Sequence, residues 1–352
     1  MESQKTAPIT YINPLIYTDL NWFDEAELPE EVPVVDFTKL NTTDELSLFL
    51  ESIKRSGFFY LKNHGINGEQ FSELINVYRE FFCLSDEEKA KMVPSVEEVA
   101  TTGGFQPFRT SSIGEAFKRG EPIPDEFMKY YWQPHKNYYP NEEFKVVNES
   151  YHRAINPICS LLVKKILLSI QTAFPDFDPK EQLHLSKGNA ITAYNVYPQI
   201  MPNDDSDYRL AFHRDVTSVS ILHQLPMTNG EISLCLKTAE GKIISIPPIR
   251  EGLLINLGEI FQYITNGLFE AAEHGVLLPN ELSGSERSSI VTFYTPGFDA
   301  FLKPSSQIRP HGRDKHLNGI PTFDILGANE KGVLCIDVLK QFFAGYNKKT
   351  AL

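Results

Sequence analysis

The sequence predicts an α+β fold: a mainly helical first half, an all-β core and a closing helix. Three observations predict it. Apolar residues recur at helical spacing in several segments before residue 175. From Asn189 onward short β-rich runs alternate with turns, the pattern of a barrel or a two-sheet sandwich. Inside that β stretch His213 and Asp215 stand two residues apart, with His274 further on as a third candidate donor.

The chain has 352 residues, 41% of them hydrophobic and 22% charged, an ordinary balance that can bury a large core. One catalytic unit is expected, divided into an arm over 1–31, a helical region over 32–185, a β core over 186–304 and a tail over 305–352. The formal net charge of −13, without any polybasic run, argues against nucleic acid or an anionic membrane as partner. No run of about 18 apolar residues reads as a membrane span, and Met1 to Asn13 lacks the basic-then-apolar order of a secretory signal. A cytoplasmic monomer acting on a small molecule is the expectation. Cys83, Cys159, Cys235 and Cys335 are far apart and mostly in apolar contexts, which favours buried free thiols over bridges.

In order along the chain, the acidic arm is followed by a strand at Val32-Pro33-Val34-Val35-Asp36-Phe37. Thr42-Thr43-Asp44-Glu45 is a capping box that opens a helix with Leu46, Phe49, Leu50 and Ile53 on one face, and Gly57 closes it. Phe58 to Leu61 is a second strand. His64, beside Gly65, is read as making a turn hydrogen bond. A second helix carries Phe71, Leu74, Ile75, Tyr78 and Phe81, and Ser85-Asp86-Glu87-Glu88 caps a short third one. Thr101 to Pro107 reads as a loop. The aromatic-rich stretch from Phe117 to Tyr139 either lines a substrate mouth or packs a cover over the core. Arg109 and Lys118 are candidate anchors for an acidic substrate. A long helix spans Asn141 to about Phe174, and β-rich runs follow from Ala190 to Tyr294. After a polar loop, Arg309 to Arg313, a last helix lies around Val333 to Phe343.

Residues i and i+2 of a strand project from the same face, so His213 and Asp215 are expected to point into one cavity. A later His completes a two-histidine, one-carboxylate set, which leaves three positions of an Fe(II) open; zinc more often takes a closed or single-open tetrahedral set. A lone His-x-Asp is a weak signal, and single histidines such as His223 are more often packed side chains than ligands. His135, His152, His184, His311 and His316 are expected to be incidental.

The chain resembles the iron- and 2-oxoglutarate-dependent dioxygenases of the isopenicillin N synthase-like group over most of residues 32 to 300. The resemblance is carried by Val32 to Asp36, by Ser56-Gly57-Phe58-Phe59-Tyr60-Leu61-Lys62-Asn63-His64-Gly65-Ile66, and by Asn195-Val196-Tyr197-Pro198. It continues through His213-Arg214-Asp215, Leu254-Ile255-Asn256-Leu257-Gly258-Glu259, Thr265-Asn266-Gly267, Glu273-His274 and Arg287-Ser288-Ser289. It implies a double-stranded β-helix (jelly-roll) core with flanking helices. It implies His213, Asp215 and His274 as iron ligands, and Arg287 with Ser289 as the pair that grips the distal carboxylate of 2-oxoglutarate. A guanidinium's planar fork suits a buried carboxylate. Tyr197, with Asn195 as companion, matches the residues that help hold the co-substrate. Phe293, on the strand face of Arg287 and Ser289, is expected to wall the pocket.

The implied cofactors are Fe(II), 2-oxoglutarate and O2, with oxidative decarboxylation to succinate and carbon dioxide driving hydroxylation, desaturation, cyclisation or fragmentation of an amino acid or specialised metabolite. Two other readings stand beside it: an oxidase of the same fold whose Arg-x-Ser holds the substrate's own carboxylate, and a non-catalytic metal-binding or sensing barrel. Departures from the family pattern are Arg214 between the first two ligands and the 13 positions from His274 to Arg287, which point to an added hairpin at Asn280 to Ser285. Asn203 to Asp207 reads as an acidic loop before the first ligand strand.

Overall fold

A computed structural model describes residues 17–350, except 96–97, 99–100, 111–116, 119–120, 123, 200–206, 239, 279–285, 309–319 and 329–330. The expected loop at Asn203 to Asp207 (save Asp207), the hairpin at Asn280 to Ser285, the polar loop at Arg309 to Arg313, His311, His316 and the Lys118 side chain lie outside the described residues.

The first half runs β1 (Val34–Asp36), α1 (Thr43–Ile53), β2 (Phe58–Lys62), α2 (Gly68–Phe82) and α3 (Asp86–Ala90). Then come β3 (Gly104–Gln106), β4 (Phe117–Lys118), β5 (Glu121–Pro122), β6 (Met128–Trp132), α4 (Glu142–Ala173) and α5 (Pro179–Gln182). The strand-helix-strand-helix opening is as the sequence predicts, and the capping boxes at Thr42 with Glu45 and at Ser85 with Glu88 both form. Where a loop was expected, Gly104 to Gln106 pairs with β6 as an edge strand. Gly104 is what admits it: a Cβ there would sit 2.3 Å from the Met92 carbonyl oxygen.

The second half supplies β7 (Gly188–Tyr197), β8 (Tyr208–His213), β9 (Val219–Gln224), β10 (Leu234–Lys237), β11 (Ile243–Ser245) and β12 (Leu253–Leu257). After these come α6 (Glu259–Ile264), β13 (Glu273–Leu277), β14 (Arg287–Pro296), β15 (Phe301–Leu302), α7 (Pro321–Ile325), β16 (Val333–Leu334) and α8 (Cys335–Thr350). An eight-stranded sheet in the order β1-β2-β12-β9-β14-β7-β6-β3 faces a four-stranded sheet in the order β11-β10-β13-β8. This is the double-stranded β-helix, and strands from the first half extend its larger sheet at both ends.

The alternation along β7 and β14 separates two compartments. Tyr194, Val196, Ile290 and Tyr294 point into the main core under the helices, where Tyr194 stacks on Tyr78 of α2 at 4.6 Å. Asn195, Tyr197, Arg287, Ser289 and Phe293 point between the sheets. By length and composition α4 is apolar enough to cross a membrane, which the reading of shorter runs did not anticipate. In the fold its apolar stripe, including Ile155, Leu162, Ile166 and Ile170, is buried in the core. All four cysteines are free; Cys159, Cys235 and Cys335 are buried and Cys83 is exposed.

Candidate metal centre and its cavity

His213, Asp215 and His274 come together between the two sheets, with one ligand atom from each lying within 4.8 Å of the others. His213 ends β8 and is directly opposite His274 of β13. Asp215 is not on that strand, contrary to the shared-face expectation. β8 stops at His213, and Asp215 sits in the turn before β9, so a bend and not a pleat brings its carboxylate in. Backbone bonds hold the bend in place: Glu259 N–H donates to the Asp215 carbonyl (2.8 Å), Gly258 N–H to Ser218 (3.1 Å) and Ser218 N–H to Tyr294 (3.0 Å).

Both imidazoles are set in one tautomer by the same device. The Nδ1 of His213 is 3.0 Å from the Ala211 carbonyl and that of His274 is 3.1 Å from the Ala272 carbonyl. A carbonyl only accepts, so each Nδ1 carries the proton and each Nε2 keeps its lone pair for a metal. Those Nε2 atoms are 3.7 and 3.8 Å from the two carboxylate oxygens of Asp215. Asp215 Oδ2 accepts from Ser220 Oγ (2.6 Å) and Asn256 Nδ2 (2.8 Å). Burial works to raise the Asp215 pKa, but His274, His213 and these two donors outweigh it and hold the carboxyl below its ordinary value. Burial, then the neighbouring His274, lowers His213 to about 4, so it is neutral and ready to ligate at neutral pH.

The triad opens onto a cavity of about 380 Å³, within the usual range for a small-molecule site. Its walls are mainly apolar, with Phe58, Ile191, Leu222, Val291 and Phe293 from the large sheet. At the closed end Arg287, 3% exposed, donates to Ser289 Oγ at 3.2 Å and lies over the Tyr197 ring at 4.9 Å. Among the described residues Arg287 makes no salt bridge, and burial lowers its pKa with only Tyr197, Cys235 and Tyr60 pulling the other way. A buried guanidinium without a carboxylate calls for one from a ligand. Asn195 adds a second demand, for a ligand donor, because its buried Oδ1 has no hydrogen-bond partner. The donor set therefore fits a divalent metal with a bound carboxylic acid.

Sequence reasoning placed seven residues that the fold brings to this cavity: the triad, Arg287, Ser289, Tyr197 and Asn195, and Phe293 joins them as a wall. Arg109 does not reach it. Its guanidinium lies 3.5 Å from the buried Glu126 carboxylate, an ion pair outside the cavity lining. The aromatic stretch does both things expected of it, since Phe127 and Tyr131 line the cavity while Tyr130 and Trp132 pack the core. Ser220 escaped the sequence reading, and Asn256, quoted there within a resembling run, was given no role, although each is a polar residue inside an apolar strand. Arg209, fully buried, lies near enough to Arg287 for the like charge to help burial lower its pKa to about 10. Lys129 lines the cavity too, and only its place inside an aromatic strand hinted at it.

The model of the 2OG-Fe(II) oxygenase superfamily matches residues 188–296, and that of the non-haem dioxygenase in morphine synthesis N-terminal region matches residues 32–145. An alpha-ketoglutarate dependent kainoid synthase of Digenea simplex is 33% identical over 342 residues, 95% of this chain and 93% of the relative. One of Pseudo-nitzschia multiseries is 33% identical over 346 residues, 96% and 92% of the two chains. A full-length Neurospora crassa protein crystallised with alpha-KG and thymine shares the fold with a TM-score of 0.73 at 19% identity, covering 92% of this chain and 98% of its own.

Proposed function

Because the chain belongs to the 2OG-Fe(II) oxygenase superfamily, we propose that His213, Asp215 and His274 hold its Fe(II) and that Arg287 and Ser289 grip its 2-oxoglutarate. The protein is an Fe(II)- and 2-oxoglutarate-dependent dioxygenase acting on a small molecule. When bound, the metal with 2-oxoglutarate and O2 supplies the oxidising power that breaks a substrate C–H bond, and 2-oxoglutarate leaves as succinate and carbon dioxide.

The chain's own residues supply position and dryness. The Ala211 and Ala272 carbonyls aim both imidazoles. Ser220 and Asn256 fix the carboxylate plane of Asp215, so the three donors need little rearrangement to meet a metal. Ser289 orients the Arg287 fork for two parallel bonds to a distal carboxylate, and Tyr197 forms its floor. Phe58, Leu222, Val291 and Phe293 keep water from the space between these two ends. The kainoid synthases among the relatives support a specialised metabolite as substrate, and kainoid formation is the activity we propose first.

The observation that carries the assignment of residues is the buried Arg287, facing the same cavity as the triad without an acidic partner among the described residues. Its test is turnover with Fe(II), 2-oxoglutarate and a panel of amino-acid-derived acids, following O2 and succinate together. Substrate-stimulated O2 uptake matched by succinate is expected. Uptake without succinate would move Arg287 to the substrate's own carboxylate, and neither signal with any panel member would sink the catalytic reading.

A further inference from the structure

The cavity holds a second buried cation that the iron and 2-oxoglutarate assignments leave unused. Lys129 is the second residue of β6, 3% exposed, with its side chain on the cavity wall. Its ammonium lies 4.9 Å from the centre of the Phe127 ring and 4.5 Å from that of Tyr131, the residues two places before and after it. Rings at that distance attract a cation and fix its direction. An interior strand position between two aromatics would be filled at no desolvation cost by any apolar residue, so a lysine there needs a reason.

Register shows where this cation stands relative to the carboxylate clamp. Lys129 is directly opposite Asn195 of β7, and Asn195 is directly opposite Ser289 of β14. Neighbouring strands are about 4.8 Å apart, so Lys129 and Ser289 sit roughly 10 Å from each other at their backbones, with Asn195 between them. That spacing leaves room for a separate carboxylate at each. Among the acids acting on Lys129 are Asp125, three residues before β6, and Asp215, whose charge is committed to the metal in the proposed site. Against them burial lowers its pKa to about 7. Asn195, more than nine-tenths buried, lines the same space and carries an unpartnered Oδ1, which a ligand N–H would satisfy.

We propose that Lys129 is the anchor for a carboxylate of the organic substrate, with Asn195 beside it, so that the enzyme takes amino-acid-derived acids and rejects their uncharged analogues. This rests on the reading of Arg287 and Ser289 as the 2-oxoglutarate clamp. It places the substrate's charged end on β6, two strands along the same sheet from the clamp for the co-substrate's distal carboxylate. The apolar remainder then runs toward Phe293 and the Ile336 and Leu339 side chains of α8.

The experiment uses the full chain with Fe(II) and 2-oxoglutarate under anaerobic conditions, following the visible absorption of that complex. The probes are L-amino acids and their primary carboxamides in matched pairs. At least one acid is expected to perturb the band at concentrations about 30-fold or more below its carboxamide. Lys129→Met should erase that preference while leaving the 2-oxoglutarate titration unchanged, and Lys129→Arg should keep part of it. A 30-fold loss corresponds to about 2 kcal/mol, the lower end for truncating one partner of a buried charge pair.

Equal binding of acids and amides, or no response from any acid in a protein that forms the Fe(II) and 2-oxoglutarate complex, overturns the anchor. A Lys129→Met variant that weakens 2-oxoglutarate as much as the acids would place Lys129 on the co-substrate and overturn it too. The acid-to-amide comparison in the unmodified protein stands even if the variant does not fold. Failure to bind 2-oxoglutarate at all would instead refute the clamp, a distinguishable result.

Discussion

Arg287 shows how one residue fixes the chemistry a cavity accepts. Its guanidinium is buried, oriented by Ser289 at 3.2 Å and supported by the Tyr197 ring, and no described carboxylate pairs with it. Arg287→Ala should therefore weaken 2-oxoglutarate by about 2–5 kcal/mol, since a buried charged hydrogen bond is removed from a bound carboxylate. Ser289→Ala should cost about 1 kcal/mol, the worth of a single neutral bond. Anaerobic titration of 2-oxoglutarate into the Fe(II) protein measures both. An unchanged affinity in the alanine variant at 287 would detach Arg287 from the co-substrate. The triad, by contrast, was legible as three residue types at the right spacing, because metal ligation restricts chemistry to few side chains. Ser220 and Asn256 were not, because a hydrogen bond to a ligand's far oxygen can come from almost any polar residue on a neighbouring strand.

At the scale of elements, the segment after β12 shows how far backbone packing governs the metal site. Gly258 begins α6 directly against the bend that carries Asp215. A Cβ at Gly258 would lie 2.2 Å from the Thr217 carbonyl oxygen and 2.8 Å from that of Asp215, and both are backbone atoms that cannot rotate away. Gly258→Ala must push the bend outward, at an expected cost of about 1–3 kcal/mol. Its sharper effect should be on Fe(II), at least tenfold weaker binding with the far-ultraviolet circular dichroism retained. Unaltered Fe(II) affinity would mean that the bend yields without moving the carboxylate. The strands, helices and caps around this point follow from periodicity. The bend itself does not, and an i, i+2 pairing on one pleat was the natural but mistaken inference, since nothing in His213-Arg214-Asp215 announces that the strand ends at His213. The same limit hid Lys129, whose role depends on a register between β6 and β7 set by tertiary pairing.

Over the whole molecule, the described start of the chain is tied to the outside of the barrel by a histidine that must stay neutral. His223 of β9 is fully buried, stacked on Phe71 at 3.8 Å. Its Nδ1 donates to the Gly252 carbonyl at 3.1 Å, so its Nε2 accepts from the Tyr17 hydroxyl, also at 3.1 Å, and Tyr17 accepts from Glu251 N–H. Protonation would turn that acceptor into a donor facing a donor. Burial, and to a lesser degree the nearby His64, lowers His223 to about 4 against the Gly252 bond. Between that value and 6.5 the unfolded chain binds the proton that the folded chain refuses, so stability rises with pH across the window and is lost as pH falls through it. His213 acts in the same sense, while Glu259, raised to about 7 chiefly by burial, opposes them as pH rises above 4.5. With His64 and His152, also lowered chiefly by burial, four histidines of one sign stand against one carboxyl of the other and leave a net loss toward acid, with each unmatched proton worth about 1.4 kcal/mol per pH unit. The melting temperature of the metal-free protein should therefore fall from pH 6.5 to pH 4.5. His223→Gln, which can keep one of the two hydrogen bonds but does not titrate, should flatten that fall despite a lower melting temperature at pH 7. Fe(II) should steepen it, because the metal stabilises only the form with deprotonated ligands. A fall as steep in His223→Gln as in the unmodified protein would show that His223 is not held neutral, and with it that the clasp between Tyr17 and β9 does not depend on its acceptor nitrogen.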